Sequence, residues 1–211
     1  LTLAEVNMQL VGMLDSPYVR RVAISMHLMG LAFEHRSISV FRRYDEFARI
    51  NPLVKAPTLV CDDGTVLMDS TLILEYLDDQ VQPAQRLMPA DPQGRQMALR
   101  HVGVALVACE KAVQHYYERG LRPAEKQHQP WLDRVDRQML LAFDEMERIV
   151  GAANPWLHGN RLLQDDVTIA VAWRFARFTT PEALDWARYP KLAAFSDRAE
   201  ALHAFLSTPL D

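Results

Sequence analysis

The sequence predicts a small α/β domain followed by an all-helical bundle. Two observations carry the first part: short alternating runs interleave with helical patterns up to about residue 80, and Asp63-Gly64 sits between two apolar runs. A third carries the second part. Beyond a proline-bearing stretch with Pro83, Pro89 and Pro92, apolar residues recur at spacings of three and four. The expected division is 1–80 for the α/β domain, 81–92 for a linker and 93–211 for the helical domain.

In chain order, Met8 to Met13 reads as a first strand. Ser16-Pro17 opens a helix, because serine accepts a first-turn N–H and proline at the first helical position has no N–H to leave unpaired. Val19, Val22, Ala23, Met26 and Leu31 follow at helical spacing, with Gly30 at the end. Phe33 to Val40 alternates and reads as a second strand, so a parallel βαβ unit is expected. Residues 41–50 are weakly helical and stop at Asn51-Pro52. Two strands then flank Asp63-Gly64, a pairing that favours a hairpin because glycine accepts positive φ. Asp69-Ser70 suits a helix start, and Leu72, Ile73, Leu74, Tyr76 and Leu77 give that helix its apolar face.

After the linker, Leu99, Val102, Leu106, Cys109, Val113 and Tyr116 predict one stripe on a long helix that ends near Gly120 and Pro123. Pro130-Trp131 opens the next helix, with Leu132, Val135, Met139, Phe143 and Met146 inward and Gly151 as its stop. A loop from Trp156 to Leu163 precedes a third helix from about Asp165 to Phe178. Shorter helices are expected at Pro181–Ala187 and Pro190–Leu206.

Composition narrows the function. The 211 residues are 49% hydrophobic and carry a formal charge of −4, with no basic excess for nucleic acid. No run is long enough to span a membrane, the first residues lack a secretory pattern, and two cysteines form no disulfide framework. A cytoplasmic protein without zinc-type Cys/His spacing is expected. Cys61 and Cys109 both read as small buried hydrophobes.

The residues that matter most are Ser16 to Arg20, Asn51-Pro52 with Lys55-Ala56-Pro57, Asp69-Ser70, Gly159 to Asp166, and Tyr189 to Leu192. In that order and spacing the chain resembles a cytosolic glutathione S-transferase of the bacterial serine type over nearly its whole length. The resemblance implies a thioredoxin-like N-terminal domain, a helical C-terminal domain, a homodimer, and glutathione as cosubstrate with no metal. It implies conjugation of the glutathione thiolate to a small hydrophobic electrophile. The alternatives are a non-catalytic glutathione-binding or regulatory protein, and a glutathione-dependent isomerase or dehalogenase.

Roles follow position by position. Pro57 matches the family's cis-proline, which leaves the Ala56 backbone to pair with the cysteinyl part of glutathione. Asp69 and Ser70 match the pair holding the γ-glutamyl end, and Lys55 the contact to the glycyl carboxylate. Ser16 matches the hydroxyl that donates to the sulfur; taken alone, it also reads as a simple helix cap. A hydroxyl donor at the positive end of a helix lowers a thiol pKa, and only the thiolate attacks.

Three features depart from the pattern or stand beside it. Ser16 is not cysteine, which argues against disulfide-exchanging members, and Leu14-Asp15-Ser16 lacks the Ser-Ser-Cys-type start of isomerase-type members. Leu163 stands where the family often has Ser or Thr as a cap, so Asp165 is a candidate cap in its place. His115, Tyr117 and Trp173 are candidates for bordering the electrophile, and Arg20 and Arg21 read as structural.

Overall fold

The computed structural model describes residues 8–210. The chain forms two compact units. One runs to Leu87 and is completed by the residues from Leu202 onward; the other spans Met88–Ala201.

The first unit is built on β1 (Gln9–Val11), α1 (Pro17–Met29), β2 (Glu34–Arg36), α2 (Tyr44–Ile50), β3 (Thr58–Val60), β4 (Val66–Met68) and α3 (Ser70–Gln80). The sheet order is β2-β1-β3-β4. β1 and β2 run parallel, as a strand–helix–strand crossover requires, and the other two pairs are antiparallel. The strands keep only three residues each, so β1 and β2 are shorter than their alternating patterns suggest. At the hairpin Gly64 takes φ +84°, and Asp63 Oδ1 accepts the Thr65 N–H at 2.8 Å. α1 and α3 cover one sheet face. Leu10, Leu59, Val19, Val22, Met26, Ile73 and Leu77 are fully buried in that layer. α2 closes the other face through Phe47, packed with Val11 and Ile38.

The chain re-enters this unit at α8 (His203–Leu206), which lies against α1. Arg20 donates from Nε to the Thr208 carbonyl at 2.8 Å, and its guanidinium sits over the Phe205 ring. The expected single helix over 190–206 is therefore two, α7 (Pro190–Glu200) and α8, broken at Ala201-Leu202.

The second unit packs α4 (Pro92–Gly120) against α5 (Gln129–Val150) and α6 (Gln164–Thr179), with α7 beside α5 and α6. α5 buries the stripe the sequence predicts: Leu132, Val135, Met139, Phe143 and Met146. α4 does so only in part. Val102 and Cys109 of the expected stripe are buried, together with Ala98, His101, Ala105, Ala108, Ala112 and Glu118, whereas Leu99 is 50% and Tyr116 44% exposed. Alanines on the contact face let helices approach closely, and the larger apolar residues are left on the flanks. The region expected as a helix at Pro181–Ala187 is mostly turn, with a single 3-10 turn at Trp186–Arg188. Trp186 is held there by its indole N–H to the Pro181 carbonyl at 2.9 Å. It joins Phe143, Trp173 and Tyr189 in edge-on ring contacts.

Asp165 does not cap α6. The helix begins at Gln164 with Leu163 at its N-cap, and Asp166 supplies the cap by reaching back to the Leu163 N–H at 2.8 Å and the Leu157 N–H at 2.9 Å. Leucine has no acceptor to return, so only half of a reciprocal capping box exists. Asp165, fully buried, turns inward and accepts at one oxygen from His101 Nδ1 (2.9 Å) and His158 Nε2 (3.0 Å). Burial pushes the Asp165 carboxyl up, but the two histidines more than offset this and hold it below the usual range.

Burial pushes Asp166 up to about 6 from 3.8, against the pull of the two backbone N–H groups. Because its folded value lies above the unfolded one, its contribution is complete below about pH 4 and lost as pH rises through about 6. The shift corresponds to roughly 3 kcal/mol. Urea titrations at pH 4, 5, 6 and 7 are expected to show wild-type stability falling relative to Asp166→Asn across that range. Parallel curves would mean that the backbone donors keep Asp166 ionised throughout.

Candidate functional site

Register alone decides where the site forms. Val11 at the end of β1 pairs with Thr58 at the start of β3, and Thr58 pairs with Met68 at the end of β4. The turn after β1, the loop before β3 and the start of α3 therefore leave the sheet at one end. Those three segments carry Ser16, Lys55-Ala56-Pro57 and Asp69-Ser70. The turn and the loop also touch. Gly12 has φ +138°, and a Cβ built on it would lie 2.6 Å from Val19 Cγ2 and 3.1 Å from the Ala56 Cβ. Only glycine fits that approach.

Ser16 is the N-cap of α1, and its Oγ accepts the Val19 N–H at 3.4 Å. That is long for such a bond, so the hydroxyl is a loose cap and still has its own proton to donate. Pro17 follows at the first helical position, buried.

The loop before β3 is held from beneath. Asn51 is 1% exposed, donates to Thr58 Oγ1 at 2.9 Å and accepts the Leu53 N–H at 3.0 Å. Thr58 Oγ1 in turn donates to the Lys55 carbonyl at 2.7 Å. Val54 is forced to φ +47°, a rare conformation for a β-branched residue. The Ala56–Pro57 peptide is cis. Among the described residues, nothing hydrogen-bonds to the Ala56 N–H or carbonyl, and no carboxylate lies within ion-pair reach of the exposed Lys55 amine.

Asp69 caps α3 from a positive φ of 69°, accepting the Thr71 N–H at 2.8 Å. The Ser70 side chain is buried beneath it. Arg21, on α1 and 1% exposed, donates from Nη1 to Ser70 Oγ at 3.1 Å and to Thr71 Oγ1 at 3.3 Å. The exposed end of α3 thus combines free first-turn N–H groups, a carboxylate and a hydroxyl, an arrangement that can take both charges of an amino-acid end group.

The sequence marks Asn51-Pro52 as a helix stop and as part of the motif with Lys55-Ala56-Pro57, without a role for the Asn51 side chain, and Arg20 and Arg21 read from it as structural. Both arginines lie off the apolar stripe of Val19, Val22, Ala23 and Met26, so the helical period gives no sign of their burial; α1 is covered on nearly every side. Gly12 carried no signal, since its close neighbour Ala56 is far along the chain. In the helical unit, Trp173 is 1% exposed within the aromatic cluster and is core. His115 Nδ1 lies 2.6 Å from Asp136 Oδ1. Tyr117 lines an open groove with Leu121, Arg122 and Trp131.

The Asn51 bracket predicts a local cost. Asn51→Ala removes the donor to the buried Thr58 Oγ1 and the acceptor of the Leu53 N–H, and is expected to lower stability by about 2 kcal/mol. Urea unfolding checks this; an unchanged midpoint would show that the loop keeps its shape without the bracket.

The chain matches known proteins at both units. The family model of the glutathione S-transferase N-terminal domain covers residues 10–85, and that of the C-terminal domain covers 129–198. A glutathione S-transferase from Methylobacterium radiotolerans, solved in complex with glutathione sulfonate, superposes with a TM-score of 0.88 at 32% identity, covering 95% of this chain and 93% of that one. Glutathione S-transferase 1 of Dianthus caryophyllus is 28% identical over 199 residues, 90% of this chain and 86% of its own. The maleylacetoacetate isomerase of Pseudomonas aeruginosa is 29% identical over 197 residues, 88% of this chain and 87% of its own. The two family models and the 32% identity to a transferase over nearly the whole chain, on a first unit with a thioredoxin-like four-stranded sheet, place this chain in the glutathione S-transferase family.

Proposed function

We propose that the protein binds glutathione at the end of its sheet and transfers the thiolate to a small hydrophobic electrophile. The observation that carries this reading is the convergence of three segments with open polar groups at one sheet end. The Ala56 N–H and carbonyl take the cysteinyl backbone in an antiparallel pairing. The Ser70 N–H and hydroxyl take the γ-glutamyl carboxylate at the positive end of α3, and Asp69 takes the ammonium. Lys55 faces the glycyl carboxylate. With the peptide so held, the sulfur comes to the start of α1, where Ser16 donates its proton and the helix end favours negative charge. The protein supplies position and field, and the nucleophile belongs to the cosubstrate. In this reading it is a bacterial serine-type member, working in detoxification as a cytoplasmic homodimer.

A second reading keeps the same thiolate and changes the product. The isomerase relative matches nearly as much of the chain as the plant transferase does, so glutathione-dependent isomerisation of an activated double bond is the alternative. There the thiolate adds, the carbon–carbon bond rotates, and the thiolate leaves unchanged.

The test is a glutathione titration of the purified protein, followed by ultraviolet absorbance of the bound thiolate against pH. Saturable binding with a thiol pKa well below that of free glutathione is expected. Binding without that shift would favour a glutathione-binding protein with little turnover. Ser16→Ala is expected to raise the bound thiol pKa and cut kcat/KM about tenfold to a hundredfold. An unchanged rate would remove Ser16 from the chemistry and leave it as a cap.

A further inference from the structure

We propose that Arg21 is a positioning residue that fixes the Ser70 hydroxyl as a donor toward the γ-glutamyl carboxylate. The inference rests on the assignment of Ser70 to that carboxylate, made above.

The argument is one of valence. A serine hydroxyl has one proton and two acceptor sites, whereas a guanidinium can only donate. The contact at 3.1 Å from Arg21 Nη1 to Ser70 Oγ therefore has a fixed direction, with the serine oxygen accepting. The Ser70 proton cannot point at Arg21 and must point elsewhere. Ser70 is only 4% exposed, and among the described residues nothing accepts its O–H. A buried O–H without an acceptor is costly unless something supplies one. A bound carboxylate does so.

The same geometry excludes the competing orientation. Without Arg21, the Ser70 hydroxyl is free to rotate its proton inward and present a lone pair to the ligand, which repels a carboxylate. Thr71 Oγ1 takes a second bond from the same nitrogen at 3.3 Å, and the Thr71 N–H is engaged by Asp69, so the first turn of α3 is pinned on both sides. The guanidinium is itself 1% exposed, where its positive charge is poorly screened and adds to the field at the helix end. Arg21 does not touch the ligand in this scheme; it acts through Ser70.

A purely structural strut between α1 and α3 would show the same contact, so the test must compare ligands. The probes are glutathione and γ-aminobutyryl-cysteinylglycine, which keeps the amine and lacks the γ-glutamyl carboxylate. By calorimetry, Arg21→Met is expected to weaken glutathione binding about tenfold and the carboxylate-free peptide less than about twofold. Adding Arg21→Met to Ser70→Ala is expected to cost little more than Ser70→Ala alone. Equal losses for both peptides, or fully additive losses in the double variant, would overturn the proposal and leave Arg21 as a strut. If Ser70→Ala itself binds glutathione like the wild type, the assignment of Ser70 fails, and the proposal falls with it on separate grounds. Should Arg21→Met not fold, Arg21→Lys keeps the buried charge, displaces the donor and supports the same two-peptide comparison.

Discussion

A stretch of extended backbone that keeps its N–H and carbonyl open cannot hold itself in place. Secondary structure is stable because its peptide groups satisfy one another, and Ala56 must forgo that. The rest of the first unit supplies what Ala56 lacks. Asn51 and Thr58 fasten the loop from within, one side chain tying Leu53 and the other tying the Lys55 carbonyl. The missing side chain at Gly12 lets the neighbouring turn press against it. The sheet register sets the end at which all of this happens, so three-residue strands suffice. The positive φ angles at Val54 and Asp69 occur on either side of the hairpin, at the two places where the chain must leave regular geometry to face outward.

Two adjacent carboxyls in the helical unit show how little sequence position says about chemical state. Asp165 and Asp166 are both fully buried. Asp165 meets two imidazoles and is held low, while Asp166 meets backbone N–H groups and is driven high by burial. One side chain joins α4 and the 156–163 loop to α6, and the other ends the loop and starts the helix. The buried face of α4 is mostly alanine, and His101 is where it meets this polar cluster.

Much of the fold was legible because it depends on local rules. Ser16-Pro17 and Gly30 bound α1, Asp63-Gly64 makes the hairpin, and the large residues of α5 mark its buried face. What was illegible depends on partners distant in sequence. The α4 stripe holds at Val102 and Cys109 but fails at its ends, because most of the buried face uses alanine, whose apolar signal is weak, while Leu99 and Tyr116 carry a strong signal and are exposed. Asp165 looked like a cap because helix caps are read from neighbours, and its true partner His101 lies on another helix. The break before α8 could not be seen in 190–206, because α8 packs on α1. At the candidate site, the motifs pick out three segments that the sheet register brings to one end. The residues that hold them, Gly12, Asn51 and Arg21, needed coordinates.

The return of the chain to its first unit has a consequence for synthesis. Arg20 gives its Nε–H to the Thr208 carbonyl and lies against the Phe205 ring. A ribosome makes those residues after the whole helical unit. A nascent chain that has produced Ser16, Ala56 and Ser70 thus waits for the Thr208 and Phe205 contacts to Arg20 until more than a hundred further residues have emerged. The part of the molecule that is made first is among the last to be finished.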